Sequence, residues 1–406
     1  MPIPEYKCKE LTETMKLAYA YVQCCLRCRT CGYYYTPEEM HFEACPSLWK
    51  YHFAAYAGGG KLTLLRLIHE GILNWNQELA EIVYRCTTCG NCRENCYSLA
   101  FRTPSFNHVR LIELMRAELV QRGLMLPEHQ ILTNSIKNYD NPWQGPRSRK
   151  DKWAKRLAVK DLSKERADVL YYVGCTAAYD AIINRIAVAT AKVLNKAGVD
   201  FGILGAKEIC CGSVALRIGD RDLVRDLAKR NIEMLNSLGV STIVTACAGC
   251  YKTIYEDYLE FGKIKPEVLH ITQYLDRLIQ EGKVNLTEVE KIKVTYHDPC
   301  HLGRHAKVFE EPRNVLKAIP GIDFVEMSRS GKASWCCGAG GGVRSGYPDW
   351  SSETATKRVE EAEGTGAAYL VSGCPFCFQN LESAIRATNS ELKMVDVIEL
   401  IGDAMV

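Results

Sequence analysis

The sequence predicts a multidomain α+β protein in which an N-terminal α-helical domain precedes two duplicated α/β domains. Three observations predict this fold class. The chain has 20 cysteines, and nearly all of them fall into four groups. Two of these groups repeat each other at almost constant spacing. In the repeated part, short apolar runs alternate with amphipathic segments, which is typical of a parallel sheet with helices on its faces.

Composition narrows the class of protein. Lys plus Arg number 51 and Asp plus Glu 48, so the net charge of +3 does not favour nucleic-acid binding. The N-terminal residues show no signal peptide, and no apolar stretch has the roughly 18 residues of a membrane span. We therefore expect a cytoplasmic protein, and in that reducing compartment cysteines usually serve metal or redox chemistry.

Residues 1–118 are predicted to be helical, with cysteine loops between the helices. Segments 62–73 and 109–121 place apolar residues three and four positions apart. The two cysteine runs of this region are Cys25-x2-Cys28-x2-Cys31 with a remote Cys45, and Cys86-x2-Cys89-x2-Cys92-x3-Cys96. Three cysteines at steps of three with a remote fourth indicate an iron–sulfur cube, whereas zinc sites more often use two separate pairs. Structural zinc remains the alternative.

The fourth cysteine of each run has a predicted role in the other set. In two-cluster ferredoxins the fourth cysteine of one run ligates the other cluster. This rule predicts one [4Fe–4S] cluster on Cys25, Cys28, Cys31 and Cys96, and a second on Cys86, Cys89, Cys92 and Cys45. The thirteen residues between Cys31 and Cys45 depart from the usual spacing of three.

Residues 119–166 are predicted to be a polar linker with short helical pieces, because Asn141-Pro142 and Gly145-Pro146 interrupt helices. A basic run at 147–156 follows. We expect this run to form a solvated face, with an acidic docking partner as the alternative.

Residues 167–285 and 286–406 are predicted to be the two copies of an internal repeat. The first copy contains Cys175, Cys210-Cys211-Gly212 and Cys247-x2-Cys250, and the second contains Cys300, Cys336-Cys337-Gly338 and Cys374-x2-Cys377. Equivalent cysteines are 125, 126 or 127 residues apart. Five thiols per copy exceed the four that a zinc ion or a cubane uses, so each copy binds a larger group or keeps one reactive thiol.

Predicted strands at 169–173, 241–245, 292–296 and 367–371 each end shortly before a cysteine, and helices are predicted at 176–196 and 220–238. Sites in parallel sheets lie at the carboxyl ends of strands, so we expect the cysteines to meet there. The glycine stretch 338–342 fails the context of a dinucleotide site, and we expect it to let backbone N–H groups approach cluster sulfurs. For Arg217 and Arg344 the alternatives are a salt bridge, a substrate anchor or stabilisation of a cluster.

The repeat of Cys, Cys-Cys-Gly and Cys-x2-Cys resembles the cysteine-rich CCG domain of heterodisulfide reductases. With a helical two-cluster ferredoxin domain before it, the layout is similar to the D-type subunit of heterodisulfide reductases over essentially the whole chain. The resemblance implies two α/β (Rossmann-like) CCG domains, each holding a noncubane [4Fe–4S] cluster on all five of its cysteines. The implied ligands are Cys175, Cys210, Cys211, Cys247 and Cys250 in the first domain, and Cys300, Cys336, Cys337, Cys374 and Cys377 in the second.

The same resemblance implies a function. Electrons would pass through the two [4Fe–4S] cubanes to the pair of noncubane clusters, where a substrate disulfide is reduced. The alternative is an electron-transfer relay subunit without its own substrate site. It would belong to a larger flavin-containing complex that bifurcates electrons or oxidises a 2-hydroxy acid. Either function needs a partner subunit in a hetero-oligomeric complex: a flavoprotein, a ferredoxin-like protein or a cytochrome b membrane subunit that would hold the chain at the membrane surface.

Overall fold

The computed structural model describes residues 18–19, 21–34, 42–98 and 107–406. Cys8, which the sequence pattern leaves without a group, lies outside the described residues. The chain forms two compact units. The first combines the described part of Met1–Ile131 with Val214–Arg221 and Gly338–Thr354, and the second contains the remainder. The domain limits at residues 118, 166 and 285 stay predictions.

The first unit is mainly helical in its N-terminal part. Its helices are α1 (Pro46–Tyr51), α2 (Gly58–His69), α3 (Gln77–Tyr84), α4 (Asn91–Glu94) and α5 (His108–Gln121). A small antiparallel pair, β1 (Tyr33–Tyr34) and β2 (Phe42–Glu43), lies between the first cysteine run and α1. The two helices predicted at 62–73 and 109–121 correspond to α2 and α5. Asn107 caps α5 by accepting hydrogen bonds from the N–H groups of Val109 and Arg110.

Arg116, on α5, is fully buried and joins three segments of this unit. Its guanidinium donates hydrogen bonds to five backbone carbonyls: Val83 (3.0 Å), Tyr84 (3.1 Å), Cys86 (2.6 Å), Arg217 (2.6 Å) and Gly341 (2.8 Å). One turn earlier, Glu113 forms a buried 2.5 Å ion pair with Arg217. Of the alternatives for Arg217, the structure therefore shows the salt bridge.

The glycine stretch lies against the second cysteine loop. A side chain on Gly340 would place its Cβ 2.6 Å from the carbonyl oxygen of Thr87, and one on Gly341 would come within 2.5 Å of the carbonyl oxygen of Cys86. Gly341 also has a φ of 65°, which favours glycine. The close contacts found here are with carbonyl oxygens, whereas the sequence predicted N–H groups approaching sulfurs.

The second unit contains two parallel sheets that share their strand order, apart from the additional edge strand β3. The first sheet runs β3 (Lys160–Asp161), β5 (Phe201–Ile203), β4 (Val169–Tyr171), β6 (Thr242–Thr245), β7 (Glu267–His270). The second runs β9 (Ile322–Val325), β8 (Ile292–Tyr296), β10 (Tyr369–Ser372), β11 (Lys393–Asp396). The four predicted strands are the central ones, β4, β6, β8 and β10.

Helices pack against both sheets. The remaining helices of the chain are α6 (Pro127–Tyr139), α7 (Cys175–Tyr179), α8 (Asn184–Lys196), α9 (Ser213–Ile218), α10 (Arg221–Ser237), α11 (Ala248–Tyr255), α12 (Ile271–Gln280), α13 (Glu310–Ala318), α14 (Val343–Gly346), α15 (Pro348–Glu363), α16 (Pro375–Thr388) and α17 (Val397–Ala404).

Two predictions about local structure need correction. The single helix expected at 176–196 is two helices, α7 and α8. Asp180 ends the first, because its carboxylate accepts the N–H groups of Ile182 and Ile183 at 2.9 and 3.1 Å. The region expected to be a linker contains the 13-residue helix α6 and the strand β3.

The two repeats contact each other reciprocally within the second unit. Helix α8 of the first repeat packs on α17 of the second, and α12 of the first packs on α13 of the second. Arg185 of α8 forms an ion pair with Glu399. Across the other contact, Asn314 donates to Asp276 at 3.1 Å. These paired contacts relate the repeats by an approximate twofold axis. Among the described residues, no helix is long and apolar enough to span a bilayer.

Replacing Arg116 with methionine (Arg116→Met) should destabilise the chain by about 3 kcal/mol or more, because each buried carbonyl left unpaired costs about 1–3 kcal/mol. Chemical unfolding followed by circular dichroism measures the loss. The matched control is Gln121→Met, on an exposed position of the same helix. Equal stability of the two variants would show that the five hydrogen bonds are not structural.

Candidate iron–sulfur sites

The first unit brings its cysteines together in two sets of four. One cavity, of about 330 Å³, is lined by Cys25, Cys28, Cys31 and Cys96, together with residues of the surrounding loops. A second, smaller cavity is lined by Cys45, Cys86, Cys89 and Cys92. These are the two sets that the exchange of the fourth cysteine predicts. Whether the sets hold metal clusters stays a prediction.

The beginning of α2 lies against both sets. The N–H of Gly59 donates to the Sγ of Cys31 at 3.2 Å. A Cβ on Gly58 would lie 3.0 Å from the Sγ of Cys92. Glycine at these two positions lets the helix N-terminus approach the thiols, and its partial positive charge favours thiolates.

Lys61 is a fully buried cation beside the second set. Its ammonium donates to the carbonyl of Tyr56. Burial lowers the pKa of Lys61, and the nearby Cys86 and Cys45 thiols oppose that change. Burial raises the pKa of Cys45 to about 12, although the positive charge of Lys61 acts to lower it. Ionised thiols in this interior therefore need a bound cation, and an iron cluster provides one.

In the first repeat, Cys175 follows β4, Cys247 and Cys250 follow β6, and the Cys210–Cys211 pair comes after β5. Cys175 begins α7 after Gly174, whose φ is 79°. Cys247 is the N-cap of α11, and Cys250 lies in the first turn of that helix. The Sγ atoms of Cys250 and Cys211 are 3.4 Å apart. Hydrogen bonding with the thiols of Cys210 and Cys250 lowers the pKa of Cys211 to about 6, whereas burial acts to raise it.

The second repeat arranges its thiols in the same way. Cys374 is the N-cap of α16, which begins with Pro375, and Cys377 follows in the first turn. Cys300 precedes a π-helical turn, His301–His305, and the Nδ1 of His301 lies 3.3 Å from the Sγ of Cys300. The second repeat also brings a histidine to its thiols. The ring of His297 lies with the thiols of Cys337 and Cys377 in a buried group whose possible ligand atoms are all within 4.8 Å of one another.

The two repeats come together at Cys247 and Cys374, and each of these thiols shifts the pKa of the other. Contacts with Cys247 and Cys377 hold the pKa of Cys374 well below its usual range. Of the ten cysteines in the repeats, nine are buried and Cys247 is the most exposed. The junction of the repeats is therefore the most solvent-exposed part of the thiol array.

Two buried polar residues near this junction were missed by the sequence analysis. His270 ends β7 and Asp396 ends β11, at equivalent positions of the repeats, and both are completely buried N-caps. Burial lowers the pKa of His270 to about 4. Burial also raises the pKa of Asp396 well above its usual value. Their offset of 126 residues, which equals that of the Cys-Cys pairs, was a signal that could have found them.

The basic run also needs correction. Most of 147–156 is exposed, as expected, but Lys150 is buried, with 3% of its side chain accessible. Its Nζ lies 3.8 Å from the Sγ of Cys175. The charge pattern of the run gave no sign that one of its lysines contacts a candidate ligand.

The donor set fits iron–sulfur clusters. Each repeat supplies five converging thiols, which is one more than a tetrahedral zinc site uses. Buried basic side chains, Lys61 in the first unit and Lys150 in the second, would compensate the negative charge of thiolate-bound clusters. These residues would hold the clusters, which supply one-electron redox chemistry when bound.

Comparison with known proteins supports this interpretation. The family model of the CCG cysteine-rich domain matches residues 169–255 and 294–382. The chain is 40% identical to the D-type subunit of the dihydromethanophenazine:CoB–CoM heterodisulfide reductase of Methanosarcina barkeri, over 81% of this chain and 79% of that one. It is also 33% identical to the EtfAB:quinone oxidoreductase of Syntrophomonas wolfei, over 80% of this chain and 47% of that protein.

A solved structure shares the fold. A hypothetical protein from Helicobacter pylori aligns with a TM-score of 0.51 and 10% sequence identity, covering 98% of this chain and 73% of that one. This likeness concerns the fold alone.

Adjacent cysteines at the start of the first run provide a test of the first set. Cys25 lines the cavity, whereas the neighbouring Cys24 is exposed and does not line it. Cys25→Ser should therefore lower the iron content by up to one cluster, about 4 irons per chain, and Cys24→Ser should keep the full content. Iron and acid-labile sulfide measured after anaerobic purification check this. Equal losses in both variants would contradict the assignment of Cys25.

Proposed function

The chain belongs to the family of heterodisulfide reductase D-type subunits, and from that premise we propose that it reduces a disulfide at its paired CCG repeats. It is an iron–sulfur oxidoreductase subunit of a family with CCG domains. The observation that carries the finer proposal is the complete set of five thiols in both repeats, in which Cys247 and Cys374 are near enough for each to shift the pKa of the other.

The ligands of the proposed clusters are those predicted from the sequence. Noncubane [4Fe–4S] clusters would be held by the five cysteines of each repeat, and [4Fe–4S] cubanes by the two sets of four in the first unit. When bound, the paired clusters supply one electron to each sulfur of a disulfide. The balance is one disulfide, two electrons and two protons giving two thiols, and the electrons come from a partner subunit.

Three features of the chain's own residues prepare the site. Cys247 and Cys374 stand at helix N-termini, whose partial positive charge stabilises thiolates. Cys247 is partly exposed, so we expect a small disulfide to reach the junction of the repeats there. The buried His270 and Asp396 add polar groups beside the junction. Burial lowers the pKa of the imidazole to about 4 and raises the pKa of the carboxyl, and both shifts favour the neutral form.

A second candidate function is favoured by the similarity to an EtfAB:quinone oxidoreductase. The chain would then be an electron relay in a larger flavin-containing complex, without its own substrate site. The two functions share the clusters and differ in whether the junction of the repeats accepts a disulfide.

The anaerobically purified chain should contain about 16 irons, matching four four-iron clusters, and no zinc. With dithionite-reduced viologen as the electron source and the CoB–CoM heterodisulfide as the probe, it should release two thiols per disulfide. The double variant Cys211→Ser/Cys337→Ser should keep about 8 irons in the first unit and release no thiol. Cys24→Ser is the control that keeps both properties.

Other outcomes separate the alternatives. If the chain has its full iron content but releases no thiol and gives no new EPR signal on exposure to thiols, disulfide reduction is excluded and the relay function is supported. About 8 irons in the wild type, the content of the first unit alone, with zinc in the repeats would contradict the noncubane clusters.

A further inference from the structure

A buried cation lies at the same place beside the Cys-Cys pair of each repeat. In the first repeat, the Nζ of Lys150 donates to the carbonyl oxygen of Glu208 at 2.8 Å. In the second, the Nη1 of Arg304 donates to the carbonyl oxygen of Ser334 at 2.6 Å. Glu208 and Ser334 are equivalent, since each lies two residues before the Cys-Cys pair. Lys150 and Arg304 are 3% and 2% exposed.

Segments that are not equivalent supply these two cations. Lys150 precedes the first repeat, whereas Arg304 lies in the turn that follows Cys300. The repeat pattern of the sequence therefore does not predict that they occupy matching positions. Their shared position indicates that a positive charge near Cys175 and near Cys300 is a requirement of both sites.

The repeats differ in the side chain that accompanies the cation. In the first, Glu208 accepts the N–H groups of Val173 and Gly174 at 2.9 and 3.0 Å, and its carboxylate lies 3.1 Å from the ammonium of Lys150. The carboxylate is thereby fixed beside the backbone that leads into Cys175. A full negative charge opposes the cation at this site.

In the second repeat the equivalent residue, Ser334, has no charge. Its hydroxyl accepts a hydrogen bond from the buried guanidinium of Arg358 at 3.2 Å, which brings a second cation to the position. Arg358 is ion-paired with Glu361 at 2.5 Å. The nearby carboxylate of Asp298 is bound by Arg313 at 2.7 and 3.0 Å.

This difference affects the ease of reduction. Adding an electron makes a thiolate-bound cluster more negative, so a nearby cation stabilises the reduced form and a nearby carboxylate destabilises it. In a buried site these interactions are weakly screened by solvent. The carboxylate of Glu208 has no counterpart at Ser334.

We propose that the two repeats hold clusters of unequal reduction potential, the second repeat having the higher one, and that Glu208 sets the difference. The inference rests on the proposed function, because it needs a cluster in each repeat. A first electron, delivered by an external reductant, then resides on the second repeat. The first repeat is reduced only at lower potential.

The test is an anaerobic redox titration of the full chain with dithionite, followed by EPR. Glu208→Gln removes the charge with little change in shape. It should raise the lower of the two repeat potentials by at least about 59 mV, a tenfold change in the ratio of reduced to oxidised cluster for a one-electron step. Lys150→Met should lower the same potential, and Arg304→Gln should lower the other.

Matched controls keep the fold and remove exposed charges. Glu165→Gln and Lys207→Met alter exposed side chains of the same unit and should shift neither potential. Arg304→Lys retains the charge and should leave the higher potential within the range of the controls. If Glu208→Gln fails to accumulate, Lys150→Met and Arg304→Gln still decide the assignment.

Two failures can be told apart. A wild-type chain with about 8 irons would overturn the proposed function and this inference with it. The inference alone would be overturned if wild type and variants kept their full iron content but Glu208→Gln did not shift the lower potential specifically. That outcome includes an equal shift of both repeat potentials, a shift of neither, and a shift of the higher one.

Discussion

Burial of closely spaced thiols is the constraint on which most of this structure depends. All but one of the ten thiols in the repeats are buried, and most buried thiols here have a raised pKa. Concentrating thiolates in such an interior is costly unless positive charge accompanies them. Helix N-termini, buried lysines and arginines, and the proposed iron itself are different sources of that charge.

The backbone is shaped by the same constraint. Glycines stand where a chain segment approaches a thiol or the loop that carries one, as at Gly59 beside Cys31 and Gly341 beside the carbonyl of Cys86. Arg116 satisfies the carbonyls that this close packing would otherwise leave without hydrogen bonds. Loops bearing several cysteines have little regular structure, so side chains supply the bonds that a helix or sheet would provide.

Much of the architecture could be predicted from the sequence, since duplication and strand burial leave visible patterns. The central strands, such as β6 and β10, read as apolar runs because both of their faces are covered. The outer strands β7 and β11 were not predicted, because each begins with a charged residue, Glu267 or Lys393, and ends in a polar one, His270 or Asp396. Helix α6 was missed because its apolar positions are few. The burial of Lys150 depends on tertiary packing, and its local charge pattern indicates the opposite.

The exchange of fourth cysteines between the two sets of the first unit has a consequence for biogenesis. Neither set is completed by a contiguous stretch of chain, because Cys96 joins the first run and Cys45 joins the second. During synthesis the set containing Cys45 has all its thiols once residue 92 has emerged, whereas the set that begins earlier, at Cys25, waits for residue 96. The second cysteine run therefore determines when both sites can accept metal. A nascent chain that stops before this run presents only incomplete ligand sets, whose free thiols can be oxidised.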